Sequence, residues 1–300
     1  MISIIICSRE QKSAATIQKN IDDTIGIDHE VIVIDNSRGQ YSIFSAYNRG
    51  VEQSKYPYLC FVHEDVFFHT SNWGEKIVEQ VKNPQTGIVG FAGGDLVSQV
   101  PASWSILSPS INIIQSTPGH KEKKYFHFPK DYDQDTRTVI LLDGVFLGMR
   151  RNLFEKVKFD ETLDGFHGYD FDISIQSSLA GYINYVMYNI ELEHYSAGRK
   201  SRKYFENLIA IYKKWSEELP ILGHNVSDAE RARLSEIEIT RLQKLIRKMA
   251  ATGFSSKDII AHTKYFIRRL NTEEAERQIK YIHFKIFITR LVKSPQYLFR

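Results

Sequence analysis

Cysteine is scarce in this chain: two residues, Cys7 and Cys60, in a length of 300. Both sit inside apolar runs, SIIIC and YLCFV, which reads as two buried, reduced thiols and excludes a disulfide framework. Long apolar runs are also missing. No stretch approaches the roughly 20 residues that span a bilayer. The opening MISIIICSRE has no basic segment ahead of its short apolar run, so a signal peptide is not expected. A cytoplasmic protein is the expectation. Glycine is absent where two enzyme classes need it: SREQKSAAT, after the first apolar run, holds none. That argues against a dinucleotide-binding G-x-G-x-x-G turn and against the glycine-rich phosphate loop of a nucleotidyltransferase. There is no internal repeat, no low-complexity segment and no nucleic-acid recognition motif.

The remaining composition, 42% hydrophobic and 25% charged, is that of a globular chain with one sizeable domain and a smaller one. The net charge of +3 is unevenly spread. Residues 241–300 carry 14 Lys and Arg against 4 Asp and Glu, whereas residues 1–240 carry 25 against 32. A basic tail on an acidic body suits an anionic partner or a solvated helical face.

Apolar patterning predicts strands at 2–7, 30–34 and 58–62, alternating with helices at 8–23 and 43–54. That order indicates a parallel sheet with right-handed crossovers. A further strand leads into Gly90–Asp95, and residues 96–138 read as a long irregular region with several aromatics, Trp104 among them. Extended chain returns at 138–142, 182–188 and 190–192. Beyond about Tyr204 only helical spacing remains, and the division falls into residues 1–215 and a basic helical region, 216–300.

Ligands of open parallel sheets bind beyond the carboxyl ends of the strands. Three such ends carry polar residues: Ser8-Arg9, Asp35-Asn36 and His63-Glu64-Asp65. In extended chain His63 and Asp65 share a face and Glu64 points away. An imidazole and a carboxylate so placed can bind one divalent ion, Mg²⁺ or Mn²⁺, or can simply form a surface turn. In GFHGYDFDI, Asp170 and Asp172 precede a helical run, where they either cap the helix or supply a general base. In EHYSAGRK, His194 precedes Arg199 and Lys200, a set suited to a metal and a diphosphate.

These segments, in this order, resemble the GT-A glycosyltransferases, in particular the large inverting family (family 2-like) that uses nucleotide-diphosphate sugars. The matching elements are SIIICSR, VIVIDNS, Asn48-Arg49-Gly50, an apolar strand entering a D-x-D-like triplet, LLDGVFLGMRR and GYDFD, over roughly residues 2–200. The resemblance implies a Rossmann-like, mostly parallel sheet flanked by helices, with a C-terminal helical appendage. It implies sugar transfer to a hydroxyl of a glycan or lipid-linked saccharide, with a UDP-sugar as the expected donor and Mn²⁺ or Mg²⁺ as cofactor. By the same resemblance Ser8, Arg9, Asp35, Asn48, Glu64, Asp143, Gly144, Arg199 and Lys200 contact nucleotide or donor, Asp65, His63 and His194 hold the metal, and Asp170 is the base. His63 stands where the family has the first Asp of D-x-D, Tyr169 where it often has Glu, and Tyr47 where Arg is frequent. The departures at His63 and Tyr169 leave open a nucleotide-sugar binder without catalysis.

The final segment, YIHFKIFITRLVKSPQYLFR, places Phe284, Phe287, Ile288, Leu291 and Val292 on one helical side, with Lys285, Thr289 and Lys293 opposite. Such a helix lies on an anionic membrane surface, packs on its own domain or forms a homodimer.

Overall fold

The computed structural model describes residues 1–117, 122–196 and 200–270, together with 273, 275–277, 279–281 and 284. In chain order its elements are β1 (Ile2–Ser8), α1 (Gln11–Thr24), β2 (His29–Asp35), α2 (Ile43–Gln53), β3 (Tyr58–Val62), β4 (Val66–Phe68), α3 (Trp73–Val81), β5 (Thr86–Gly90), β6 (Ala92–Gly94), β7 (Leu96–Val97), β8 (Ser110–Ser116), β9 (Lys123–Phe128), β10 (Thr136–Val139), β11 (Leu141–Leu142), β12 (Phe146–Arg150), α4 (Arg151–Phe154), α5 (Tyr169–Leu179), β13 (Ile183–Met187) and β14 (Leu192–Tyr195). The helices α6 (Arg202–Lys214), α7 (Asp228–Ala232), α8 (Leu234–Ala251) and α9 (Ser256–Leu270) follow. The chain divides into two compact units, one of Met1–Leu96, Trp104–Arg199 and Ile221–Val226, the other of Val97–Ser103, Lys200–Pro220 and Ser227–Arg300.

The first unit is α/β. Its larger sheet runs β10-β13-β5-β12-β3-β1-β2. β1 pairs in parallel with β2 and β3, and β12 enters antiparallel to β3. The apolar run of β1 is buried from both sides, as a central strand requires. Ile2, Ile4 and Ile6 join Ile17, Ile21 and Ile25 in one core cluster, and Ile5 joins Phe44, Tyr47 and Val51 in the other. The helix α2 lies close on β1 because of Gly50, where a Cβ would fall 2.2 Å from Ile5 Cγ2. The Asn-x-Gly element therefore sets a helix-to-strand approach. Tyr47, one of the departures, is fully buried and packs on Phe61, Phe159 and Tyr169.

A second sheet runs β11-β6-β8-β14-β4, with β9 added to β8. Here the structure departs from the expectation for residues 96–138. That region supplies β8, β9 and β10, and its centre is an antiparallel hairpin pairing Ile111–Ser116 with Lys123–Phe128. All six residues of β9 are exposed, so no alternation of apolar and polar residues marked it as a strand. The expected strand at 138–142 is split: β10 joins one sheet and β11 the other, with the Ile140 amide donating to Gly94.

The second unit is mostly helical. In α8, Leu242, Leu245, Ile246 and Met249 are buried, and in α9 Ile259, Phe266 and Leu270. Among the described residues no helix is long and apolar enough to cross a membrane. Phe284 is exposed, and the other residues of the amphipathic C-terminal segment named above lie outside the described residues.

Candidate active site

Strand direction explains why the polar residues of the first unit meet. Ser8 and Asp35 are register partners at the ends of β1 and β2, and β3 ends beside them at Val62. β12 runs the opposite way, so its start lies at the end of β3: Phe146 pairs with Val62 and the His63 amide donates to the Val145 carbonyl. Asp143 and Gly144, which precede β12, are thereby brought to the level of His63. In the second sheet His194 on β14 is the register partner of Val66, the residue after Asp65.

His63, Asp65 and His194 converge. Asp65 Oδ1 lies 3.8 Å from His63 Nδ1 and 3.5 Å from His194 Nε2. One ligand atom from each residue lies within 4.8 Å of the others. Burial would raise the Asp65 carboxyl, but His194 and His63 outweigh it and hold it below the usual carboxylate range. Burial pushes His63 down, against the pull of Asp65. A neutral imidazole, a carboxylate and a second imidazole are a donor set of the kind that holds a divalent metal.

Asp170 lies in the first turn of α5, which begins after Gly168 at φ 90°. Its Oδ2 accepts the Gly144 amide at 3.0 Å. Burial and the neighbouring Asp143 raise its carboxyl to about 7, over the opposing backbone hydrogen bonds. Near neutrality such a group is partly ionised and able to accept a proton. Asp172, by contrast, is fully buried and accepts from Gln176 Nε2 at 2.8 Å. Asp143 is fixed by two donors, the Val145 amide to Oδ1 at 3.1 Å and the Trp104 indole N–H to Oδ2 at 2.9 Å.

A chain of contacts links the two acidic centres. His63 Nε2 lies 2.7 Å from Tyr169 Oη, Tyr169 Oη donates to the Gly144 carbonyl at 2.7 Å, and the Gly144 amide reaches Asp170. Asp65 and Asp170 thus belong to one cluster. Tyr169 and Trp104 are the members that sequence reasoning gave no such place, because their partners lie far away along the chain.

Glu64 lies with Asp65 in the turn between β3 and β4 rather than in extended chain, and its carboxylate ties down the turn after β1. Its Oε2 accepts from Ser8 Oγ at 2.5 Å, the Arg9 amide at 3.1 Å and the Glu10 amide at 3.3 Å. Arg9 extends its guanidinium over Phe166, 4.0 Å from the ring centroid. Asp35 accepts from the Ser37 amide, which holds its carboxyl below the usual range. Asn48 is turned to the Phe159 carbonyl and Glu161. Arg199 lies outside the described residues. Lys200 belongs to the second unit, where its ammonium lies over the Tyr204 ring.

Beside His194, Glu193 points to the opposite face and is fully buried. Its carboxylate accepts from Lys123 Nζ at 2.7 Å, His69 Nε2 at 2.8 Å and Ser116 Oγ. Burial would raise it, but those donors hold it at about 2. This buried carboxylate clasps β14 to the β8–β9 hairpin.

Comparison of the sequence with curated proteins gives no match. Residues 3–209 match the family described as "Glycosyltransferase like family". Among solved structures, the fold is similar to residues 1–349 of TarS from S. aureus in complex with UDP-GlcNAc (TM-score 0.55, 12% identity, 92% of this chain and 83% of that one). It is also similar to the mannosyltransferase PcManGT from Pyrobaculum calidifontis in complex with GDP-Man and Mn²⁺ (TM-score 0.51, 11% identity, 97% and 86%). GalNAc-T7 with UDP, GalNAc and Mn²⁺ matches over 78% of this chain at 11% identity and TM-score 0.50, and the chain spans 53% of its length. With the strand-end cluster on a mixed sheet flanked by helices, and with the family match over residues 3–209, the chain belongs to the glycosyltransferase-like family and is a glycosyltransferase of the GT-A fold.

Proposed function

We propose that the protein moves a sugar from a nucleotide-diphosphate sugar, a UDP-sugar by preference, to a hydroxyl of a glycan or lipid-linked saccharide, with inversion at the anomeric carbon. The single observation that carries this reading is the union of a metal-type triad, His63, Asp65 and His194, with a carboxyl raised to about 7 at Asp170. In this reading Ser8 and Asp35, paired at adjacent strand ends, line the nucleotide pocket, with Arg9 beside them. Glu64 holds the turn that shapes it. Asp143, fixed by Trp104, faces the donor sugar with Gly144. Asp170 has one oxygen committed to the Gly144 amide, so Oδ1 takes the proton of the attacking hydroxyl. Such a base contributes about 10² to 10⁴ in rate. A divalent metal held by His63, Asp65 and His194 would neutralise charge on the departing diphosphate. With base and leaving group on opposite faces of the sugar, one displacement inverts the configuration.

Acceptor recognition is assigned to the β8–β9 hairpin. Tyr125, Phe126 and Phe128 on β9 and Tyr195 on β14 are exposed, and aromatic faces of this kind stack on sugar rings. β8 joins them to the site, since Gln115 pairs with His194 on one side and Lys124 on the other. The positive excess of residues 241–300 supports a cytoplasmic enzyme working on a lipid-linked acceptor at an anionic membrane surface.

A thermal-shift screen of nucleoside diphosphates and nucleotide-sugars, with and without Mn²⁺, tests the donor, because a ligand of the folded state raises apparent stability. Release of nucleoside diphosphate from the matching nucleotide-sugar tests catalysis. Binding without release or transfer would favour the non-catalytic reading, and no binding at all would refute both.

A further inference from the structure

Two departures from the family pattern, His63 for Asp and Tyr169 for Glu, touch each other. His63 Nε2 lies 2.7 Å from Tyr169 Oη across 106 residues of sequence. A tyrosine hydroxyl owns one proton, and here it is committed to the Gly144 carbonyl at 2.7 Å. Towards His63 the hydroxyl has only a lone pair to offer, so Nε2 is the nitrogen that carries hydrogen. In a neutral imidazole Nδ1 is then the lone-pair nitrogen, and Nδ1 is the atom that faces Asp65 at 3.8 Å. Gly144 completes the device, since a Cβ there would stand 2.2 Å from Tyr169 Oη.

The exchange of Asp for His also alters the charge and hardness of the site. A D-x-D pair offers two carboxylates, whereas this triad offers one carboxylate and two imidazoles. Mg²⁺ and Ca²⁺ are held by oxygen, while Mn²⁺, Fe²⁺, Co²⁺ and Zn²⁺ accept imidazole readily.

We propose that Tyr169 is a positioning residue that locks His63 in the Nε2–H tautomer, and that the resulting two-nitrogen, one-oxygen site selects imidazole-tolerant transition metals against Mg²⁺ and Ca²⁺. The inference rests on the metal-assisted reading above and deepens it. Hydrogen bonds from outer partners to metal-bound histidines are typically worth about 10- to 100-fold in metal affinity.

The test is titration of the full chain with Mn²⁺ alone, followed by the electron paramagnetic resonance of the free ion, with Mg²⁺ as competitor. The wild-type protein is expected to bind one Mn²⁺ that a tenfold excess of Mg²⁺ leaves largely in place. Tyr169→Phe keeps the ring and removes the hydroxyl, and its Mn²⁺ affinity is expected to fall about tenfold or more. His63→Asp is expected to let Mg²⁺ compete. Unchanged Mn²⁺ affinity in Tyr169→Phe, unchanged discrimination in His63→Asp, or displacement by equimolar Mg²⁺ in the wild type would overturn the proposal. Should Tyr169→Phe not fold, electron spin-echo modulation of Mn²⁺ on the wild-type protein decides: couplings to imidazole nitrogen support the site, and their absence refutes it. None of these readings uses a donor or acceptor. A chain that binds Mn²⁺ in this manner yet transfers no sugar would refute the catalytic reading and leave this one standing.

Discussion

The Gly144 amide donates to Asp170 Oδ2 at 3.0 Å, while Asp143, one residue earlier, is the charge that adds to burial in raising Asp170 to about 7. One short turn before β12 thus holds the carboxyl in place and keeps it basic. Asp170→Asn preserves the acceptor for Gly144 and removes the carboxylate proposed as the base. Transfer is expected to fall by at least about 10², with nucleoside diphosphate binding retained in a thermal-shift assay. Wild-type activity should rise with pH through about 7 as Oδ1 loses its proton. Full activity in Asp170→Asn would dismiss it as the base.

The same shift has a consequence for stability, measurable in metal-free protein. The folded carboxyl binds its proton more tightly than the unfolded one, at about 7 against an ordinary value of 3.8. Its stabilising contribution is complete below the unfolded value and is lost as pH rises through 7. Asp170→Asn has no such loss. Denaturant melts should therefore find the variant equal to wild type near pH 4 and more stable by about 1–3 kcal/mol at pH 8. Equal stability at pH 8 would mean that Asp170 is not buried as described.

The strand ends were readable in the sequence for a simple reason. Apolar runs such as ISIIIC and YLCFV stop at polar residues, and parallel strands stop at the same edge, so Ser8, Asp35 and Asp65 were gathered without knowledge of any contact. Nothing local reveals that His63 meets Tyr169, or that Trp104 meets Asp143 39 residues later. Those partners are set by the antiparallel entry of β12 and by the placement of α5. The hairpin was missed because β9 has no buried face to impose a period of two.

Trp104 joins Asp143 through its indole N–H, with the ring half-buried. Trp104→Phe keeps an aromatic ring and leaves Asp143 Oδ2 without that donor. The variant is expected to lose about 1 kcal/mol of stability. If Asp143 faces the donor sugar, binding of the intact nucleotide-sugar should weaken while binding of the nucleoside diphosphate alone does not. Calorimetric titration with both ligands separates these outcomes, and an equal loss for both would move Asp143 away from the sugar.

Glu64, expected at the donor, has its carboxylate on the turn that carries Ser8 and Arg9. Removing an acceptor shared by one hydroxyl and two amides leaves those donors to find water or bend the turn. Glu64→Ala is expected to destabilise the protein by about 1–3 kcal/mol and to weaken nucleoside diphosphate binding. Glu64→Gln keeps an acceptor oxygen and should recover much of both. If Glu64→Ala loses nucleotide affinity with no loss of stability, Glu64 acts on the ligand directly.

Glu193 gives the prediction that isolates the hairpin from the chemistry. Its buried carboxylate draws donors from His69, Ser116 and Lys123, on three separate segments. The folded value of about 2, against 4.5, means that its contribution is present above about 4.5 and is lost as pH falls towards 2. Glu193→Gln leaves Lys123 without its partner charge. Because that ammonium is 42% exposed, the expected loss is about 2 kcal/mol at pH 7 rather than the larger cost of a fully buried orphan charge. The gap to wild type should narrow as pH falls from 4.5. Because Glu193 and His194 point to opposite faces of β14, Mn²⁺ affinity at His194 should change less than acceptor use. An acceptor KM that rises while nucleotide-sugar hydrolysis persists is the expected result, and a parallel loss of both would assign Glu193 to the metal side of the strand.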